Sequence, residues 1–175
     1  MRKVVVFALC VVFFIGFTQA QKVTEGSLDF LKNVTELDFV FDYKKTTMSS
    51  KTDKDKEHVQ GVFLRDLNKE VGGKGYDFEA GYFPESEYVA KVITVKLDPG
   101  YMAGPMTKVS SVRVEIVITN RKTSKVVAKV YIKKANGSMY DFANTFGKET
   151  NRIGSSYGEA GEQLGKAFFK IIKKK

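Results

Sequence analysis

The sequence predicts an α+β fold, a two-layer sandwich in which about four largely antiparallel strands carry two helices on one face, in the order βαβββα. Three observations predict it. Four segments alternate apolar and polar residues, two others repeat apolar residues at helical steps, and each has mainly one apolar face to bury. A sheet covered on one side by both helices buries all of them. A barrel of lipocalin type would need about eight strands, and four strong ones are present.

The first strand is ELDFVFDYKK at residues 36–45, where Leu37, Phe39, Phe41 and Tyr43 alternate with Asp38, Val40 and Asp42. In DKEHVQGVFLRDLNKEVGG, residues 55–73, Val59, Phe63, Leu67 and Val71 recur at steps of four and make one helical stripe. Asp53 or Asp55 suits its N-terminus, and Gly72-Gly73 its end. Residues 73–86 are rich in glycine and aromatics and read as a connection. The second strand, YVAKVITVKL at 88–97, is expected to place Val89, Ile93, Val95 and Leu97 on one face. In the third, Val112, Val114, Ile116 and Ile118 alternate with Arg113, Glu115 and Val117. In the fourth, Val126, Ala128, Val130 and Ile132 share a face. The short polar loop NRKTSK between them predicts an antiparallel hairpin.

The last helix, SSYGEAGEQLGKAFFKIIKKK, carries Tyr157, Ala160, Leu164, Phe168 and Ile171 at helical steps. Gly158, Gly161 and Gly165 weaken it by roughly 1 kcal/mol each against alanine, so a close approach to the sheet is expected in compensation. Its terminal lysines complement the negative end of the helix dipole.

The N-terminus, MRKVVVFALCVVFFIGFTQAQK, has two early cations, an apolar run too short for a retained span, and small residues at Thr18 and Ala20. It reads as a signal peptide over residues 1–20, cleaved after Ala20. One domain over 21–175 then remains, exported to the periplasm or secreted. Leu9 stands where bacterial lipoproteins carry a small residue before the modified cysteine, so lipid attachment at Cys10 is not expected. Beyond residue 20 there is no cysteine, which excludes disulfides, zinc-cysteine sites and a cysteine nucleophile there. The formal charge of the whole chain is +9, but the lysines are scattered and in KTDKDKE alternate with acids. That pattern fits solvated surface, and no specific nucleic-acid partner is expected.

The chain offers little chemistry. A triad or multi-histidine zinc site cannot be built on the single histidine, His58. Nucleotide-binding glycine motifs are missing, and GGKG at 72–75 has no helix following it to hold phosphate. Asp38, Asp42, Glu79, Glu85 and Glu87 are the candidate acids for glycan hydrolysis, and their spacing does not set them apart from surface acids. Asp53, Asp55 and Glu57 are interleaved with lysines, so no metal or cofactor is expected. Asn33 and Asn136 match the glycosylation pattern, but Asn136-Gly137 is better read as a turn.

The stretch LDPGYMAGPMTKVS, from Leu97 through Ser110, is unusually apolar for a connection between strands. Connections of about a dozen residues are often binding loops. Pro99 and Pro105 stiffen it, and Tyr101, Met102 and Met106 offer adaptable apolar contact area. Tyr82 and Phe83, in GYDFEAGYF, could line the same edge. These residues are expected to make an interaction surface for an envelope protein or the outer-membrane surface, on a protein expected to be non-enzymatic. The alternatives are a small apolar-ligand or glycan binder with a pocket lined by Phe39, Phe41, Phe63 and Phe168, and, more remotely, a carboxylate-dependent glycan hydrolase.

GSLDFLKNVTELDFVFDY, YVAKVITVKLDPGYMAGPMTKVSSVRVEI, KVVAKVYIKKANG and YGEAGEQLGKAFFKIIKK together resemble a group of small secreted proteins of Bacteroidetes bacteria with no assigned activity. The resemblance spans nearly all of residues 21–175, and DPGYMAGPMTK is its most specific part. It implies an extracytoplasmic protein and carries no catalytic residue to transfer. More loosely, TNRKTSKVV followed by a glycine-rich helix is similar to periplasmic α/β domains of envelope lipoproteins.

Overall fold

The computed structural model describes residues 21–103, 106–138 and 148–174; the expected signal peptide and Pro105 lie outside them. The elements run β1 (Gln21–Gly26), β2 (Glu36–Asp42), α1 (Asp53–Val71), β3 (Glu79–Gly81), β4 (Tyr88–Asp98), β5 (Tyr101–Ala103), β6 (Met106–Lys108), β7 (Ser111–Asn120), β8 (Lys125–Asn136) and α2 (Glu149–Ile172). The fold is α+β, with two long helices and a mixed sheet of six strands in the order β1-β8-β7-β4-β2-β3. Two of the six are additions to the four expected. β1 is an edge strand whose residues are almost all exposed, so it carries no apolar alternation to read. β3 is three residues inside the aromatic connection. Asn68 of α1 fixes it there, donating to Ala80 O and accepting from Ala80 N, both at 2.8 Å.

The sheet is mixed because a helix separates β2 from its neighbours. β2 runs parallel to both β3 and β4, whereas β4, β7, β8 and β1 follow one another antiparallel. The α1 stripe falls where its period places it. Val59, Phe63, Leu67 and Val71 are buried, Phe63 lies edge-on to Phe41 at 5.4 Å, and Thr52 caps the helix through Asp55 N–H. From α2, Tyr157, Ala160, Leu164 and Phe168 enter the same core, where they meet Val112, Val114, Ile116 and Ile118 of β7 and Ala128, Val130 and Ile132 of β8.

The inward face of β4 differs from expectation. Ala90, Val92 and Thr94 point into the core, while Val89 and Ile93 are half-buried and Val95 is exposed. Both faces of this strand carry apolar residues, so alternation alone does not choose between them. A β-bulge at Val95, between the pairs Thr94–Val114 and Lys96–Arg113, then shifts the phase by one residue and returns Leu97 to the core side. In β8 a similar irregularity leaves Val126 exposed and keeps Ala128, Val130 and Ile132 inside.

The glycines of α2 face α1, not the sheet. An ideal Cβ on Gly161 would stand 2.1 Å from Phe63 O, and one on Gly165 2.9 Å from Leu67 O. Closest approach of the two helix backbones therefore compensates for the weak helix propensity of this segment. No helix among the described residues is long and apolar enough to cross a membrane.

Candidate functional site

The connection expected between the second and third strands is itself folded. β4 ends at Asp98, Pro99-Gly100 turns the chain, and β5 and β6 pair antiparallel with each other, Tyr101 opposite Lys108 and Ala103 opposite Met106. This ribbon is a separate two-stranded sheet that pairs with no strand of the main one. Its base is held firmly. Asp98 accepts from Gly100 N–H at 3.0 Å through one carboxylate oxygen and from the Lys108 ammonium through the other. Gly100 has φ +65°, and a Cβ there would lie 2.2 Å from Lys108 O, so the turn demands glycine. The lysine beside Asp98 and the Gly100 N–H both hold its carboxyl below the ordinary value of 3.8.

The return strand is anchored as well. Ser110, 2 % exposed, donates to Arg152 O at the start of α2 and accepts from Gly137 N–H at its own carbonyl. The hairpin thus stands on a base tied to β4, β8 and α2. Of the residues singled out, Pro99 is half-buried in the turn and Tyr101 is 50 % exposed on β5.

Tyr82 and Phe83 do not join them. Gly81 pairs beside Asp38, which pairs with Val89, so these two aromatics sit near the start of β4. The hairpin leaves β4 at Asp98, nine residues on, or about 30 Å along an extended strand. There Phe83 has a structural duty: its N–H donates to Asp38 at 2.9 Å, and its ring packs on Gly81. Tyr82 is 77 % exposed.

Of the aromatics expected to line a ligand pocket, Phe39, Phe63 and Phe168 fill the core, and Phe41 is half-buried at its edge. Phe39 and Phe63 lie 6.0 Å apart and Phe78 and Phe168 5.8 Å. Open clefts lie at the surface of the described residues. One of about 530 Å³ between α1, α2 and the end of β8 is lined by His58, Arg65, Asp66, Glu159 and Glu162 among others. Its carboxylates are engaged: Asp66 with Arg65, Glu159 with Gln163 and Glu162 with Lys166. Two others share Lys44. One of about 490 Å³ lies against Phe41, Tyr43, Lys56 and Lys91, and one of about 530 Å³ is formed by residues 44–47 and 95–97.

Of the acids weighed for hydrolysis, Asp38 and Asp42 are each held by a cation. Asp38, 1 % exposed, pairs with Arg121, and Asp42 pairs with Lys91 at 2.9 Å. Four residues along one strand separates the two by about 13 Å, beyond the roughly 5 to 9.5 Å that glycosidic acid pairs use. Among the described residues no group of three or more histidine, cysteine, aspartate or glutamate side chains could hold a metal ion.

The Asp98–Lys108 clamp and the Ser110 anchor were not foreseen. Asp98-Pro-Gly was the one local signal for the turn, whereas the partners of Ser110 are remote in sequence. Neither a protein-family model nor a curated protein matches the chain. Among solved structures, a dodecamer of a PelC variant from Paraburkholderia phytofirmans is similar, with a TM-score of 0.47 at 12% identity over 82% of this chain and 95% of that one. A candidate lipoprotein from Caulobacter crescentus is similar with a TM-score of 0.41 at 8% identity over 85% of this chain and 97% of that one.

Proposed function

We propose that this protein is a non-enzymatic module of the cell envelope that docks through the hairpin of residues 97–110. The observation that carries the reading is a ribbon that pairs only with itself, on a base fixed by Asp98, Lys108 and Ser110, with Tyr101 held out in solvent. Apolar side chains on a projecting arm lose nothing to the fold by meeting a partner, and a stiff base lowers the entropy of ordering them there. The expected export signal places such a partner outside the cytoplasm.

A photo-crosslinking residue at position 101 tests this in cells of the native host. Discrete adducts at 101, lost when Met102 and Met106 are changed to Ser in a still-folded protein, are expected. The same probe at Tyr82, exposed at the far end of β4, should not reproduce them. Identical adduct patterns from both positions would sink the docking role.

A further inference from the structure

The cleft at the foot of the hairpin has an unbalanced charge. It is formed by residues 44–47 on one side and by the bulged strand at 95–97 on the other. The pairing of β2 with β4 stops at Asp42–Ile93, so β4 continues past the end of its neighbour and leaves this notch open. Lys44, Lys45 and Lys96 are exposed around it, and none has an ion-pair partner among the described residues. Asp42 and Asp98, which adjoin these segments in sequence, are paired with other lysines, Lys91 and Lys108. Three cations without an ion-pair partner therefore line a notch that also presents Val95, 43 % exposed, and the chain runs on from its far side through Asp98 to Tyr101, 50 % exposed at the start of β5.

We infer that this notch and the adjoining face of β5 form a seat for an anionic membrane surface. Lys44, Lys45 and Lys96 meet the phosphate headgroups, and Val95 and Tyr101 enter the interfacial layer. The inference rests on the docking reading above and names its partner. Charge complementarity favours it: each lysine near an anionic leaflet adds to the attraction, while a tyrosine suits the boundary because one end of its ring is apolar and the other wet. Buried apolar area and attraction to anionic lipid act together in interfacial binding, which here is reversible and salt-sensitive. Val95 lies on the face of β4 opposite to the buried Thr94, so its apolar side chain is available at this notch.

The test is co-sedimentation of the protein, residues 21–175, with vesicles of phosphatidylcholine containing phosphatidylglycerol, and with phosphatidylcholine alone. Binding to the anionic vesicles only, weakening as salt rises, is expected. The triple variant K44E/K45E/K96E should lose roughly tenfold to a hundredfold in binding, and Y101S a smaller factor at unchanged salt dependence. A control variant with the same charge change elsewhere, K22E/K133E/K134E, alters exposed lysines of β1 and β8. If the control loses as much as the notch variant, general basicity is responsible and the site is overturned. If anionic vesicles are ignored while position 101 still gives its adducts in cells, the membrane seat fails and the docking hairpin stands. Loss of both would end the docking reading too.

Discussion

The hydroxyls of Thr94 on β4 and Tyr157 on α2 meet at 2.6 Å inside the core, with both residues fully buried. One polar pair thus joins the sheet to the helix that covers it. Burial pushes the Tyr157 phenol well above its ordinary value of 10, with the Thr94 hydrogen bond opposing, so it remains protonated at physiological pH. Tyr157→Phe and Thr94→Val each leave one buried hydroxyl without its partner and should each cost about 1–3 kcal/mol. The double variant should cost less than the two added together. Urea unfolding of the four proteins checks this; strict additivity would mean that the pair is not coupled.

Two alanine substitutions should move stability in opposite directions. On Gly161 a Cβ would collide with Phe63 O at 2.1 Å, and backbone cannot move aside as a side chain can. Gly161→Ala should therefore force the helices apart and cost upwards of about 2 kcal/mol, in the range of overpacking. Gly61, exposed within α1, has nothing within 4 Å of its would-be Cβ. Gly61→Ala should stabilise by about 1 kcal/mol through helix propensity. Thermal unfolding of both variants distinguishes the reasons for glycine at the two sites.

The Asp38–Arg121 pair is unequal in burial, with the carboxylate side chain 1 % exposed and the guanidinium 39 %. Removing the arginine leaves a charge in the protein, whereas removing the carboxylate frees an arginine that water can reach. Arg121→Met should thus destabilise by about 2–4 kcal/mol. Asp38→Asn, which keeps an acceptor for Phe83 N–H, should cost less, about 1 kcal/mol. The reverse order in denaturant unfolding would show that Arg121 matters through its stem and not its charge.

The hairpin base should loosen in acid. Asp98 is held below 3.8 in the folded protein, so its contribution is present above that value and is lost as the pH falls through and below it. The pair is largely exposed and the effect on global stability is correspondingly small. Local exchange is the sensitive measure. The Gly100 amide, which donates to Asp98 at 3.0 Å, should lose protection against hydrogen exchange as the carboxylate is protonated, and Asp98→Asn should show partial loss already at neutral pH. Unchanged protection in that variant would transfer the role to the backbone turn.

Local periodicity determined much of this molecule. The four-residue repeat of Val59, Phe63, Leu67 and Val71, the alternation in β7 and β8 and the stripe of α2 each state which side of an element is apolar, because burial selects one face at the period of the backbone. What covers each face is a property of the assembled chain. Tertiary structure alone gave Gly161 a helix for a neighbour in place of the sheet, since a small residue permits close approach to either. It chose which face of β4 is buried, where apolar residues lie on both, and shifted the phase of the strand at Val95. It also recruited β1 and β3, which have no apolar pattern of their own and exist because β8 and Asn68 offer them hydrogen bonds. The candidate site divides in the same way: its apolar residues and both halves of the Asp98–Lys108 clamp lie within one short stretch, but Arg152, which anchors Ser110, and Lys44 and Lys45, which meet Lys96 at the notch, come from remote segments brought together only when long-range pairing closes the sheet.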